Sequence, residues 1–233
     1  CRERNPELFQ DITGVYFNNR TGSMAVSDSL DVTFVYEAGD VIEVPVRVQL
    51  LGRALDRDRS LAIEVTSDNA EEWTDYVLPE RAVLPAGASF TDYVVKLNRT
   101  EALKKDKKTI RLQIFSNEHF SLPVTEVVQV GDTVSTLIYT ISFSDMFTKA
   151  PAAWEDNLVG EFSQQKFELI CKVLDIDPAD FNDPEVITLA KLLYISAEMT
   201  AYIQEEVRKK ADREPYDVEA FDKITGEPLN FGR

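Results

Sequence analysis

The sequence has 233 residues, of which 44% are hydrophobic and 28% charged, a balance typical of a globular protein rather than a disordered one. Its formal net charge of -16 at pH 7 disfavours nucleic acid as a partner, because phosphate contacts need a cationic surface. The charge also disfavours electrostatic adsorption to anionic lipid. No apolar run approaches the roughly 18 residues that a membrane helix needs, so no transmembrane segment is expected.

The first part of the chain, residues 11–145, is predicted to be an immunoglobulin-like antiparallel β-sandwich. Apolar and polar residues alternate along short segments that recur about every ten residues, with turn-forming residues between them and no long helix. The number of such segments is close to the seven strands typical of this sandwich. The clearest segments are residues 12–17, 30–36, 41–51, 61–65, 90–97, 109–115, 123–130 and 133–143.

Two prolines give information about the strands of this sandwich, one about a turn and the other about the position of a strand in its sheet. Residues 74–97 are predicted to form two strands joined by a turn at Pro85-Ala86-Gly87, because proline followed two residues later by glycine favours a tight turn. Pro45 lies inside the segment 41–51. Since proline cannot donate a hydrogen bond to a neighbouring strand, we expect this strand to lie at a sheet edge or to carry a bulge.

The second part, residues 146–233, is predicted to be a small helical module, so the fold class is mostly β with α. Ser163 is a suitable N-cap for a helix whose apolar residues recur at helical spacing from Phe167 onward. Asp183 followed by Pro184 predicts the start of a longer helix that runs to about Ala211. The remaining residues are expected to form an extended tail.

The sequence begins with Cys1, and residues 1–10 are polar enough to form a tether. A mature bacterial lipoprotein begins with the cysteine that carries its lipid, after removal of the signal peptide. We therefore expect a lipid on Cys1 to be the membrane anchor. The alternative is that Cys1 is only the boundary of the given fragment. With Cys171 as the second cysteine, a disulfide scaffold is not expected.

An ordered series of weak motifs, spread over nearly the whole chain, resembles a family of uncharacterised lipoproteins. Their genes lie in glycan-utilisation loci of Gram-negative gut anaerobes, beside a SusC-like outer-membrane transporter and a SusD-like glycan-binding lipoprotein. The motifs include Val15-Tyr16-Phe17, Val44-Pro45-Val46, Gly52, Asp56-Arg57, Asp75-Tyr76, Leu84-Pro85-Ala86-Gly87, Pro151, Trp154, Gly160, Phe162-Ser163, Lys166-Phe167 and the closing residues 226–231.

This resemblance implies a cell-envelope lipoprotein without an established activity, held at the outer membrane by its lipid alone, on either leaflet. It implies SusC/SusD-like outer-membrane proteins as possible partners. The β part is also similar to Calx-β sandwiches, through Asp75-Tyr76 and the Pro-Ala-Gly turn. Calx-β calcium sites need clustered loop carboxylates, which the sequence does not show convincingly, so no metal and no cofactor is expected.

No catalytic set can be named from the residues. His119 is the only histidine, so a Ser-His-Asp or Cys-His system would have to use it, and we interpret it as a surface residue. The densest carboxylate group lacks the EF-hand spacing, and Asp177 and Asp183 each precede a proline. We therefore expect helix capping rather than calcium binding from this group. Its members are Asp175, Asp177, Asp180, Asp183 and Glu185.

Exposed aromatic side chains are how many glycan-binding proteins hold the apolar faces of sugar rings. Tyr76 and Tyr93 are expected inside the sandwich, and Trp154 is expected to pin the two parts together. Trp73 lies in a polar loop and is therefore the candidate for stacking on a sugar.

Two further features are interpreted structurally. Cys171 falls on the apolar face of its helix and is expected to be an inert core residue. The lysine-rich residues 104–108 are expected to form a solvated turn, with contact to an anionic glycan as the less favoured alternative.

The sequence therefore favours a non-enzymatic, monomeric accessory lipoprotein that binds a glycan or a protein of the transport complex. A carboxylate-based glycan-processing enzyme and a purely structural spacer are the alternatives. Paired carboxylates alone do not distinguish the enzyme, because 41 acidic residues make chance pairs certain.

Overall fold

Alternating apolar and polar residues form the strands of the first part of the chain, in the computed structural model that describes residues 12–22, 24–147 and 149–232. Cys1 and the predicted tether lie outside the described residues. The strands β1 to β14 are Gly14–Phe17, Asn19–Arg20, Val26–Ser27, Ser29–Thr33, Val41–Leu51, Arg59–Ser60, Ala62–Thr66, Tyr76–Val77, Val83–Leu84, Phe90–Asn98, Lys108–Phe115, Glu126–Gln129, Asp132–Ser135 and Ile138–Ser144.

Eight of these strands form two four-stranded sheets, with the orders β1-β5-β10-β8 and β4-β14-β11-β7. We call them sheet 1 and sheet 2. Their apolar side chains fill one core, to which Val46 and Val95 contribute from sheet 1 and Leu112 and Ile141 from sheet 2. Burial of these alternate residues is the main force that holds the sheets together. The predicted fold class, a β-sandwich with a small helical part, is confirmed.

The pairing of β4 with β14 differs from the prediction, because it is parallel, with Ser29 opposite Thr140 and Thr33 opposite Ser144. The predicted strand 30–36 also ends earlier, and a short 3-10 helix follows at Phe34–Tyr36. Turn residues predict antiparallel hairpins only between strands that are close in sequence. The strands β4 and β14 are far apart in the chain, so no local pattern could indicate their direction.

Pro45 is accommodated in an unexpected way. Its strand β5 lies inside sheet 1, so the expectation of an edge strand is wrong for the strand as a whole. However, β1 pairs only with residues 48–51 of β5. The amide of Arg47, on the same side as the Pro45 nitrogen, donates to Asn19 Oδ1 at 2.8 Å. Pro45 therefore lies beside a stretch that is not paired with β1, so the absence of an N–H group at Pro45 leaves no acceptor of a neighbouring strand unsatisfied.

The two sheets are also joined by a buried ion pair. Asp75 lies directly before β8 of sheet 1, and Lys108 is the first residue of β11 in sheet 2. The Lys108 ammonium donates to both carboxylate oxygens of Asp75, each at 2.8 Å. The Asp75 side chain is only 2% exposed, so the carboxylate depends on this cation for compensation of its charge.

The chain divides into two compact units at Asp145 and Met146, and the segment Val35–Ala38 belongs to the second unit rather than to the sandwich. The prediction had assigned residues 35–38 to the β part. Tyr36 explains the difference, since its ring contacts Phe167 at 5.2 Å between centroids and its hydroxyl donates to the Lys149 carbonyl at 2.6 Å.

Three helices form the second unit: α1 at Asp156–Val159, α2 at Gln164–Leu174 and α3 at Leu189–Ala211. The Ser163 cap is confirmed, since its hydroxyl accepts from the Lys166 amide at 3.2 Å. The predicted start of α3 is wrong. Asp183 caps only a short turn, which leads to the buried Ile187. The N-cap of α3 is Thr188, and its extended backbone prevents a helix that begins at Pro184 from continuing into α3.

The tail does not remain extended alongside these helices. It forms a 3-10 helix at Val218–Ala220 and a β-bridge between Phe221 and Pro228. Phe231 is buried, and its carbonyl accepts from the Ser196 hydroxyl of α3 at 2.6 Å. The tail is therefore part of the core of the helical unit.

Lys166 is a buried cation in the same core. Its ammonium donates to the carbonyls of Val159 and Glu161, both at 2.8 Å, and lies 5.1 Å from the centre of the Phe231 ring. Burial lowers the pKa of Lys166 to about 8, against the favourable effect of Asp156 and Glu161.

Replacing Lys108 by methionine is expected to destabilise the protein by roughly 3 kcal/mol, because it leaves the Asp75 carboxylate buried without a cation. Chemical denaturation of the two proteins measures the difference. The control is Lys104→Met, which removes a solvent-exposed pair with Glu101 and is expected to leave the free energy of unfolding almost unchanged, because exposed ion pairs contribute little. Equal losses in the two variants would contradict the role given to Lys108.

The buried Lys166 predicts a pH dependence of stability. Between its folded pKa of about 8 and its ordinary pKa of 10.5 the unfolded state binds more protons, so this group makes the free energy of unfolding rise with pH. Lys166→Met removes this contribution. The wild-type protein should therefore gain stability relative to the variant as pH rises through this window.

Urea denaturation at pH values on either side of the window measures this relative gain. Lys172→Met, which removes an exposed ammonium from the same helix, serves as the control and should show no such shift. A difference between wild type and Lys166→Met that stays constant with pH would contradict the prediction.

Candidate functional site

The loop of residues 67–75 joins β7 of sheet 2 to β8 of sheet 1 and contains the candidate Trp73. Its first half is tied to β11. The Ser67 hydroxyl donates to the Thr109 carbonyl at 2.6 Å. The side chain of Asn69 accepts from the Thr109 amide and donates to the Lys107 carbonyl, both at 3.0 Å. Asn69 therefore bonds to the edge of β11 much as a further strand would.

The second half of the loop is tied to Asp75 and to β10. Asp75 Oδ2 accepts from the Glu71 amide at 2.9 Å, while the Asp75 amide donates to the Glu71 carbonyl at 2.8 Å. The Asn98 side chain donates to the Thr74 carbonyl at 3.1 Å. Both ends of the loop are thus bonded to the body of the sandwich, and the Asp75–Lys108 ion pair lies beneath it.

Trp73 is at the tip of this supported loop. Its backbone is in the left-handed region, with φ of 72°, and its amide donates to the Tyr76 carbonyl at 2.7 Å. A residue with a side chain pays roughly 1 to 2 kcal/mol for this conformation. The indole is nevertheless 73% exposed, so the loop holds a large aromatic surface in solvent on a strained backbone.

An open cleft of about 480 Å³ is lined by loop residues on either side of Trp73 in the chain and by Lys108, but not by Trp73 itself. Its groups are hydroxyls, an amide and carboxylates, which can both donate and accept hydrogen bonds. An aromatic face next to such groups suits a ligand that has an apolar face and many hydroxyls. The lining residues are Ser67, Asp68, Asn69, Ala70, Glu71, Thr74, Asp75 and Lys108.

Two tyrosines near the loop, Tyr76 and Tyr93, do not contribute to its exposed surface. Tyr76 and Tyr93 are both buried in the core of the sandwich, as predicted. Burial raises the pKa of both phenols, with Glu72 adding to the effect, so both remain neutral. Trp154 is also buried, in the core of the helical unit, where its Nε1 donates to Asp156 at 3.0 Å.

The other candidates from the sequence have structural surroundings. His119 lies in a bend, with its Nε2 at 3.6 Å from Glu118 and its ring 6.3 Å from that of Phe120. Asp177 caps a 3-10 helix, accepting from the Ala179 amide at 2.9 Å. Burial raises the pKa of the Cys171 thiol to about 12, with nearby carboxylates adding to the shift, so the reactive thiolate is disfavoured.

The lysine-rich residues 104–108 are not simply a solvated turn. Lys104 pairs with Glu101 and Lys107 with Asp31 at the surface, but Lys108 is the buried partner of Asp75. Neither member of that pair was expected at the site. In the sequence, Asp75 belongs to one of the ordered motifs and Lys108 precedes an alternating strand. Neither pattern predicts that the two side chains form an ion pair.

Two features are absent from the described part of the chain, residues 12–22, 24–147 and 149–232. No three histidine, cysteine, aspartate or glutamate side chains there are grouped so that they could hold a metal ion. No helix there is both long and apolar enough to cross a bilayer.

Several solved structures resemble this chain. The apo Calx CBD1 domain is 18% identical over 57% of this chain and 97% of that domain, with a TM-score of 0.37. The CBD12 structure of CALX1.2 is 17% identical over 56% of this chain, which spans only 43% of that structure, with a TM-score of 0.37. A Bacteroides ovatus protein of unknown function is 14% identical over 60% of this chain and 46% of its own, with a TM-score of 0.36.

Sequence comparison identifies the family without identifying an activity. No curated protein matches the chain. The model of a family described as a domain of unknown function, DUF4843, matches residues 9–176, which is well over half of the sequence, and the chain belongs to that family.

Proposed function

We propose that this protein is a non-enzymatic accessory to glycan capture, which binds a polysaccharide through Trp73 and the adjoining cleft. The observation that carries the proposal is the presentation of Trp73, an indole that is 73% exposed on a strained backbone at the tip of a firmly bonded loop. A fold gains nothing from holding an apolar ring in water, so the cost is understandable if the ring meets a ligand.

Sugars match this surface chemically. The C–H face of a pyranose is apolar and can stack on an indole, while its hydroxyls bond to the amide and carboxylate groups of the cleft. Because the loop is bonded to both sheets, little conformational entropy is lost when the ligand binds. The carboxylates of Asp68, Glu71 and Glu72 would repel acidic sugars, so an uncharged polysaccharide fits best.

The cellular setting is a further part of the proposal. An outer-membrane location, a lipid on Cys1 and neighbours of the SusC and SusD type follow from the sequence resemblance and stay predictions. The acidic surface, with a net charge of -16, is compatible with anchoring by a lipid and not by charge. Such a protein would hold a glycan near the transporter without cutting it.

The test is affinity electrophoresis of the full chain in gels that contain xyloglucan, galactomannan, laminarin or homogalacturonan. We expect retardation by at least one uncharged polysaccharide and a loss of affinity of about 30-fold in Trp73→Ala, as for removal of an aromatic hot spot worth about 2 kcal/mol. Ile224→Ala, which removes an exposed apolar side chain from the helical unit, is the control and should bind normally. Binding that survives in Trp73→Ala would overturn this site.

The backbone of Trp73 allows binding to be separated from stability. Trp73→Ala and Trp73→Gly both remove the indole and should lose affinity equally. Glycine adopts positive φ without strain, so Trp73→Gly is expected to be more stable than Trp73→Ala by about 1 kcal/mol. Thermal denaturation of the two variants measures this difference. If alanine is the more stable of the two, the loop does not hold residue 73 in the left-handed region in solution.

A further inference from the structure

The outer face of sheet 1 has a second arrangement of exposed side chains, away from the Trp73 loop. The register of three neighbouring strands places Tyr16 of β1 and Phe90 of β10 on either side of Gln49 of β5. Neighbouring strands lie about 4.8 Å apart, so the two aromatic residues are separated by about 10 Å across the sheet. The ring of Phe90 is 44% exposed.

The next row along the same strands is polar and rigid. Arg47 lies opposite Asp92, and its Nε and Nη2 donate to the two carboxylate oxygens at 2.9 and 3.0 Å. The same guanidinium lies 4.0 Å from the centre of the Phe90 ring. A bidentate ion pair stacked on an aromatic ring holds all three groups in one geometry, which is unusual for an exposed surface pair.

A shallow cleft of about 350 Å³ runs along this row. Gln49 uses its amide nitrogen to donate to the Ser89 carbonyl at 2.9 Å, which directs its oxygen away from that contact. Asn19 accepts from the Arg47 amide through Oδ1, while its Nδ2 is buried without a hydrogen-bond partner among the described residues. The cleft is lined by Asn18, Asn19, Arg20, Pro45, Arg47, Gln49 and Asp92.

This surface has the chemistry of a saccharide site. Two aromatic rings flank a planar amide, and a fixed row of amide, guanidinium and carboxylate groups lies beside them. The paired strands of sheet 1 support all of them, so they are oriented before any ligand arrives. Planar polar groups next to exposed rings can bond to paired hydroxyls while the rings cover the apolar faces of the sugars.

Resting on the proposed function, we propose that the outer face of sheet 1 is a second glycan-binding surface, centred on Gln49 and Phe90, which takes a short run of sugar rings across the strands. It differs from the Trp73 site in charge. The Trp73 cleft is lined by three carboxylates and Lys108, whereas this surface is lined by Arg20, Arg47 and one carboxylate, that of Asp92. The second surface is therefore less negative than the Trp73 cleft, although the charge of Arg47 is balanced by Asp92.

Two surfaces on one chain would act together. A polysaccharide that is held at two points dissociates more slowly than from either point alone, because the released part stays at high local concentration. Loss of one surface should weaken retention of a long polysaccharide more than it weakens binding of a short oligosaccharide.

The test uses the full chain and the same four polysaccharide gels, with the variants Gln49→Ala and Phe90→Ala. Both side chains are at the outer face of the sheet, so both variants are expected to fold, which circular dichroism and thermal denaturation verify. Glu43→Ala is the matched control, because Glu43 and its partner Lys96 lie on the same face three rows away from Gln49 and Phe90. We expect each of the first two variants to lose affinity at least tenfold and the control to bind as the wild type.

Each outcome distinguishes this inference from the proposed function. If Gln49→Ala and Phe90→Ala bind like the wild type while Trp73→Ala does not, the second surface is overturned and the Trp73 site stands. If they lose binding while Trp73→Ala does not, the second surface stands and the Trp73 site is overturned. Failure of the wild-type protein to bind any of the four polysaccharides overturns both.

Discussion

The ion pair between Asp75 and Lys108 is the interaction that links the two sheets to the conformation of the Trp73 loop. It joins the two sheets where hydrophobic contact alone would leave a buried carboxylate without compensation. The same carboxylate also accepts the Glu71 amide and so bonds the loop above it to the sandwich. Stability of the sandwich and the conformation of the Trp73 loop are therefore linked through one group, and a change at either partner would disturb both.

This linkage explains how the loop can present a defined surface. Trp73 is exposed on a loop that is hydrogen-bonded to both sheets, and Gln49 and Phe90 lie opposite each other on neighbouring strands of sheet 1. Rigid display of aromatic and planar polar groups suits the recognition of sugars, which offer little for a protein to enclose. The family to which the chain belongs, DUF4843, is described as a domain of unknown function.

Local patterns in the sequence predicted the local parts of the structure well. Strand β5 spans the segment expected from its alternation, Ser163 caps α2, and α3 ends at Ala211. The exposure of Trp73 also followed from its polar neighbours. The features that could not be predicted depend on residues distant in sequence. These are the parallel pairing of β4, the burial of Lys108 against Asp75, and the interruption at Thr188 that shortens α3, where burial of Ile187 prevailed over a good capping sequence.

The parallel pairing of β4 with β14 has a consequence for synthesis of the protein. A ribosome releases Ser29–Thr33 early, but the partner strand follows only with Ile138–Ser144. Until then β4, an edge strand of sheet 2, has no strand to pair with. Tyr36 cannot contact Phe167 until that later residue has been synthesised. The emerging chain therefore exposes strand edges and an aromatic ring for most of translation, a state prone to aggregation.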